Sequence, residues 1–157
     1  MEGFTTALAL LDFVPVLFFG AAAVLAGVGL GSPLFMVGGA ISFLAGLRKA
    51  TWKLIVAVKG KDIGWLDKGF VPMQCAGFAL MLAAAAVQLW RRGMTAALRL
   101  FAMPRLPFFL LYFAFSFLMV RYRKKHFKRE DAKSNLVAEI INSLCQLSLL
   151  IAVLLAL

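Results

Sequence analysis

The sequence predicts an all-α integral membrane protein: a bundle of four to five transmembrane helices with a short interfacial amphipathic helix, forming a single transmembrane domain over residues 1–157. Three observations carry this. Apolar residues make up 63% of the chain and charged ones 15%, against about half and about a quarter in a soluble domain. The mean hydropathy is +0.92. The apolar residues also fall into runs of roughly 20, the length that one bilayer crossing needs. At that length the 157 residues hold at most about five or six crossings, which leaves no room among them for a soluble catalytic domain.

The first run covers about residues 4–30 and is interrupted by Asp12 and Pro15. No Lys or Arg precedes it, so the basic region of a cleavable signal is missing and the first helix is expected to stay in the mature protein. Gly31-Ser32-Pro33 supplies a turn, since Gly tolerates positive φ and Pro suits the first position of a helix. The second span is expected at about 34–50. Apolar positions continue beyond it at helical spacing through Leu54, Ile55 and Val58, and Lys53, Lys59, Lys61 and Lys68 alternate with Trp52 and Trp65. That mixture suits a helix lying at the headgroup level.

The third span, about 70–90, ends at Arg91-Arg92-Gly93. The fourth, about 100–120, contains Arg99, Pro104, Arg105 and Pro107 and reads as a broken crossing with Arg105 snorkelling outward. The last, about 136–157, is again long enough to cross. Small residues at close to four-residue spacing, Ala23, Gly27 and Gly31 in span one and Gly38, Gly39 and Gly46 in span two, are the pattern that lets helix backbones approach. They point to packing of spans one and two.

The formal charge is +10, from 17 Lys plus Arg against 7 acids, and the cations sit between the apolar runs. Six fall between spans two and three, four between three and four, and seven after span four. The positive-inside rule then favours a cytoplasmic N-terminus, and the expected location is the plasma (cell inner) membrane. The block Arg121, Arg123, Lys124, Lys125, Lys128, Arg129 and Lys133 reads as a cytoplasmic anchor for anionic headgroups. Nucleic acid is not an expected partner, because the interleaving aromatics are limited to Tyr122 and Phe127. Arg91, Arg92, Arg99 and Arg105 fall on the opposite side, where lipid phosphate or another anion would suit guanidinium geometry.

Two polar features stand inside the apolar runs. Asp12 is an ionisable group within span one, and such groups face the bundle interior or water and mark candidate functional positions. Pairing with a cation from another span is the plainer role, as is a simple kink for Pro15. In the last span Glu139, Asn142, Ser143 and Gln146 fall at i, i+3, i+4 and i+7, one face of a helix. That face would line a pathway through Glu139, Asn142 and Gln146 opposite Asp12, or join helices by hydrogen bonds worth about 1 kcal/mol each.

The expected function is a small transporter or channel, a homo-oligomer, with Asp12 as coupling carboxylate and Pro15, Glu139, Asn142 and Gln146 along the route. The alternatives are a non-catalytic subunit or scaffold that binds a partner membrane protein, and an intramembrane lipid-modifying enzyme resting on Asp12 and Glu139. No cofactor or metal is expected. His126 is the lone histidine, which rules out multi-His sites within one chain. Cys75 and Cys145 lack the CxxC spacing of a redox pair. Hydrolase, nucleotide-binding and zinc-protease motifs are missing too.

Overall fold

The computed structural model describes residues 5–100, 102–126 and 131–157, and among them all regular structure is helical. The elements are α1 (Thr6–Leu11), α2 (Phe13–Leu30), α3 (Pro33–Lys59), α4 (Gly64–Lys68), α5 (Phe70–Leu100), α6 (Leu106–Lys125) and α7 (Ala132–Leu154). Five helical stretches are long and apolar enough to cross a membrane: Thr6–Leu30, Pro33–Lys59, Gly64–Gly93, Leu106–Lys125 and Ala132–Leu154.

Local chemistry sets the ends of these helices. Thr5 caps α1, its hydroxyl accepting from the Leu8 N–H at 3.3 Å. Pro15 has no N–H to offer the Leu11 carbonyl and crowds it, and the helix is interrupted just there, at Asp12, before α2 resumes. The α2–α3 turn uses Gly31 at φ 58°, with Gly31 N–H donating to Val28 O and Ser32 N–H to Gly27 O, the bonding pattern of a Schellman motif. Ser32 then caps α3 through the Phe35 N–H, with Pro33 in the first turn. Asp131 caps α7 by accepting from Lys133 N and Ser134 N.

Two boundaries differ from the sequence reading. The second span and the expected interfacial helix are largely one helix, α3, unbroken from Pro33 to Lys59. Trp52 and Val56 of that tail are buried, so bundle side chains rather than headgroups cover its apolar face. Only the five residues of α4 remain separate. The fourth span starts at Leu106 rather than near 100: α5 runs on to Leu100 past a kink at Gly93 (φ 77°, ψ 165°), and 102–105 form a turn. Pro107 falls in the first turn of α6, where a missing N–H costs nothing.

The long helices pack as a curled row in the order α5, α3, α2, α7, α6, with α1 against α3 and α7. α6 runs antiparallel to α7: Arg105 Nε donates to Leu155 O, Ser116 Oγ lies 3.1 Å from Cys145 Sγ, and Tyr122 O–H donates to Ser134 O. Among the described residues, α5 and α6, at opposite ends of the row, do not pack appreciably on each other. Leu82, Trp90, Phe113, Phe117 and Leu118 face outward, the surface a bilayer would cover.

Missing side chains permit the close crossings. A Cβ on Gly39 would lie 2.8 Å from the Ala23 Cβ, and one on Gly46 would lie 3.1 Å from Val16, so both belong to the α2–α3 contact. Gly38 instead faces α5, where a Cβ would stand 2.7 Å from the Gly77 carbonyl. Gly77 in turn has the Gly38 carbonyl 2.7 Å from its own Cβ position. Forcing a side chain into such a contact costs about 1–3 kcal/mol. Gly77→Leu is therefore expected to lower thermal stability in detergent by that amount, whereas Gly64→Ala, with open space at its Cβ position, is expected to shift it by less than about 0.5 kcal/mol.

Candidate functional site

Three helices each turn one charged side chain toward a common point. Lys53 Nζ of α3 donates to Asp12 Oδ1 at 2.7 Å and to Glu139 Oε1 of α7 at 2.7 Å. The side chains of Lys53, Asp12 and Glu139 are 14%, 10% and 9% exposed, so the pair of bonds is made largely out of water. Glu139 Oε2 is buried, with no hydrogen-bond partner among the described residues. Asp12 reaches this position because it stands at the interruption before Pro15, where α1 contacts both α3 and α7.

The level of this cluster follows from helix rise. Lys53 is about 30 Å along α3 from Pro33 and Asp12 about 27 Å along α1–α2 from Leu30, at 1.5 Å per residue. The charges thus lie near one end of the bundle, about one hydrocarbon thickness from the Gly31 turn.

Next to the cluster, one to three helical turns toward the Gly31 end, lies a half-open cleft of about 150 Å³. Its wall holds Pro15, Val16 and Phe19 of α2, Ser42 and Gly46 of α3, Phe70, Gln74 and Phe78 of α5, Tyr112 of α6, and Asn142 and Gln146 of α7. The spacing explains the alignment: Asp12, Pro15 and Phe19 are at i, i+3 and i+7, as are Glu139, Asn142 and Gln146, while Gly46 precedes Lys53 by seven residues. Each helix therefore presents its charge and its cleft residues on the same face. Around the cleft, Phe70, Gln74 and Phe78 come from α5 and Tyr112 from α6, the two ends of the row.

Its chemistry is uncharged. Ser42, Gln74, Tyr112, Asn142 and Gln146 supply hydroxyls and amides, and Phe19, Phe70 and Phe78 supply rings, the first and last in edge-to-face contact at 6.1 Å. Ser42 is 1% exposed, yet its Oγ has no partner among the described residues, and neither has the buried Gln146 Oε1. Buried polar atoms are normally bonded, and these two stand unmet among the described residues.

Of the sequence candidates, the structure brings Asp12 and Glu139 together through Lys53, and Pro15, Asn142 and Gln146 into the cleft wall. The arginines do not join them. Arg92 Nη2 donates to Leu30 O at the end of α2, and Arg105 Nε donates to Leu155 O at the end of α7, both at 2.8 Å. Cations there complement the helix dipole and its orphan carbonyls. Arg91 is exposed, and the side chain of Arg99 lies outside the described residues. Arg121, Arg123, Lys124 and Lys125 are exposed at the end of α6, at the same end of the bundle as Lys53. Lys128 and Arg129 lie outside the described residues.

Sequence reasoning did not single out Lys53, Ser42 or Tyr112. Lys53 stood in a lysine-rich stretch that resembled a headgroup-facing tail. Its neighbours do serve that end of the bundle: Arg48 donates to the Trp65 carbonyl and stands 4.6 Å from the Trp65 ring, Lys49 is 4.3 Å over Phe70, and Trp52 Nε1 donates to Asp62 at 2.8 Å.

Removing one partner of a buried ion pair costs about 3–5 kcal/mol, because the other charge is left uncompensated. Lys53→Met is accordingly expected to destabilise the protein by about that much. The uncharged triple variant Asp12→Asn, Lys53→Met, Glu139→Gln is expected to recover most of the loss, as read by thermal melting in detergent. Equal melting temperatures for Lys53→Met and wild type would exclude the bridge as a tertiary constraint.

Comparison with protein-family models, with curated proteins and with solved structures finds no match to this chain.

Proposed function

We propose that this chain is a small membrane transporter in which the Asp12–Lys53–Glu139 cluster couples proton movement to the occupancy of the adjoining cleft. The observation that carries the reading is the position of one ammonium between two carboxylates beside an uncharged, half-open cleft whose wall includes residues of α2, α3 and α7. When all three groups are ionised the cluster has one negative charge in excess. A proton taken up by either carboxyl removes that excess and weakens one of the two Lys53 bonds. Because those bonds tie α3 to the α1–α2 junction and to α7, their exchange is a local event able to loosen one wall of the cleft against another. Coupling of this kind requires two discrete arrangements of a packed element, and a shared cation between two acceptors supplies the choice. The cluster lies at the cytoplasmic end in this reading, with the basic residues of α6 on the same side against anionic headgroups, and two copies would enclose the cleft more fully than one.

The test is proton flux into proteoliposomes under an imposed pH gradient, with and without a small-molecule extract of the source cells. Wild type is expected to raise flux when the extract is present, and Asp12→Asn and Glu139→Gln are each expected to lower it at least tenfold at unchanged expression. Flux unaffected by both substitutions overturns the reading.

A second reading, a non-transporting subunit, is favoured by α6, on which no described residue is buried and which packs chiefly on α7. It predicts co-purification with another membrane protein in a near-integer ratio. The proposed orientation has its own check. In a variant lacking Cys75 and Cys145, cysteines at the exposed positions Arg91 and Lys133 are expected to react with an impermeant thiol reagent from opposite sides, Lys133 from the cytoplasm. Labelling of both from one side would contradict the five crossings.

A further inference from the structure

The cleft restricts what it can hold. We infer that its ligand is a small uncharged molecule that combines a ring or compact apolar body with a hydroxyl or amide hydrogen-bond donor, and that it enters sideways between α5 and α6. This rests on the transport reading only for its consequence, since binding itself does not require movement across a membrane.

Size comes first. A volume of about 150 Å³ is that of a cavity that accepts a single benzene-sized molecule, and Phe19, Phe70, Phe78 and Tyr112 offer it ring faces and edges. Polarity comes next. The wall offers Ser42, Gln74, Tyr112, Asn142 and Gln146, with no charged side chain among its residues. Two of its buried oxygens, Ser42 Oγ and Gln146 Oε1, have no partner among the described residues, and the Gln146 carbonyl can only accept. The ligand must therefore bring a donor, because an unmade bond at a buried acceptor is costly.

Charge is excluded on two grounds. An ion in the cleft would leave water without a counter-charge on the wall, which proteins avoid. The charged groups beside the cleft are already engaged with one another, Asp12 and Glu139 both bonded to Lys53. No charged side chain lines the cleft itself, so neither sign of ligand meets a counter-charge on its wall. The inferred sideways entry would add a third filter, because a route that passes through hydrocarbon strongly disfavours ions.

The decisive experiment uses three probes of nearly the same size that differ in charge: benzyl alcohol, benzylammonium and benzoate. Binding is measured by isothermal titration to the purified full-length protein in detergent, with empty micelles as blank. Benzyl alcohol is expected to bind at least tenfold tighter than either ion, and Gln146→Leu, which removes the acceptor at similar volume, is expected to weaken it at least tenfold while the melting temperature stays near that of wild type. Benzylammonium or benzoate binding as tightly as the alcohol would overturn the inference, as would alcohol binding unchanged in Gln146→Leu. The wild-type series alone decides the charge question if the variant fails to fold. Selective binding of the alcohol without proton-coupled flux would leave the ligand class standing and remove transport, whereas coupled flux with no preference for the uncharged probe would do the reverse.

Discussion

The fold turns on one ammonium group. In an apolar bundle a carboxylate without a partner costs several kcal/mol, and here two carboxylates, on the α1–α2 junction and on α7, share Lys53 of α3. The two carboxylates and the ammonium are each largely buried, so each compensates the others where water reaches them little. Three helices far apart in sequence are thereby held at one level. The cleft beside the cluster shares that constraint, since the residues one to three turns along these helices, Pro15 and Phe19, Gly46 and Ser42, Asn142 and Gln146, line it together.

Backbone proximity supplies the second element. Between apolar helices in lipid there is no hydrophobic force to hold them, so association relies on close van der Waals fit and on scattered hydrogen bonds. Gly39 against Ala23, and Gly38 against Gly77, let α3 approach α2 on one side and α5 on the other. A row of helices built this way need not close into a ring. The bundle leaves α5 and α6 as the two ends of the row, both contributing to the cleft wall. The same openness accounts for the many exposed apolar side chains of α5 and α6, which are ordinary on a surface that lipid or a second membrane chain covers.

Much of the architecture was legible in the residues. Run length and composition gave five helices able to cross a membrane, Gly31-Ser32-Pro33 gave the first turn, and the i, i+3, i+7 spacing of Glu139, Asn142 and Gln146 marked an inward face on α7. The limits of α3 and α6 were less legible. Lys53, Lys59 and Trp52 have the composition of a headgroup-facing helix, and only burial against α1 and the rest of the bundle made Trp52 and Val56 core. Arg105, expected to snorkel toward phosphate, instead ends at the Leu155 carbonyl because the α7 C-terminus is its neighbour.

The sequence by itself determined which stretches are helical, which of their faces are polar, and how the cations divide between the connections, because each of these is set by residues within a few turns of one another. Tertiary structure alone decided that Lys53 is the cation answering Asp12 and Glu139, that Gly38 serves α5 rather than α2, and that five uncharged polar residues from four helices surround one cleft. Helical periodicity specifies the direction in which a side chain leaves its own axis. It carries no information about which other helix stands there.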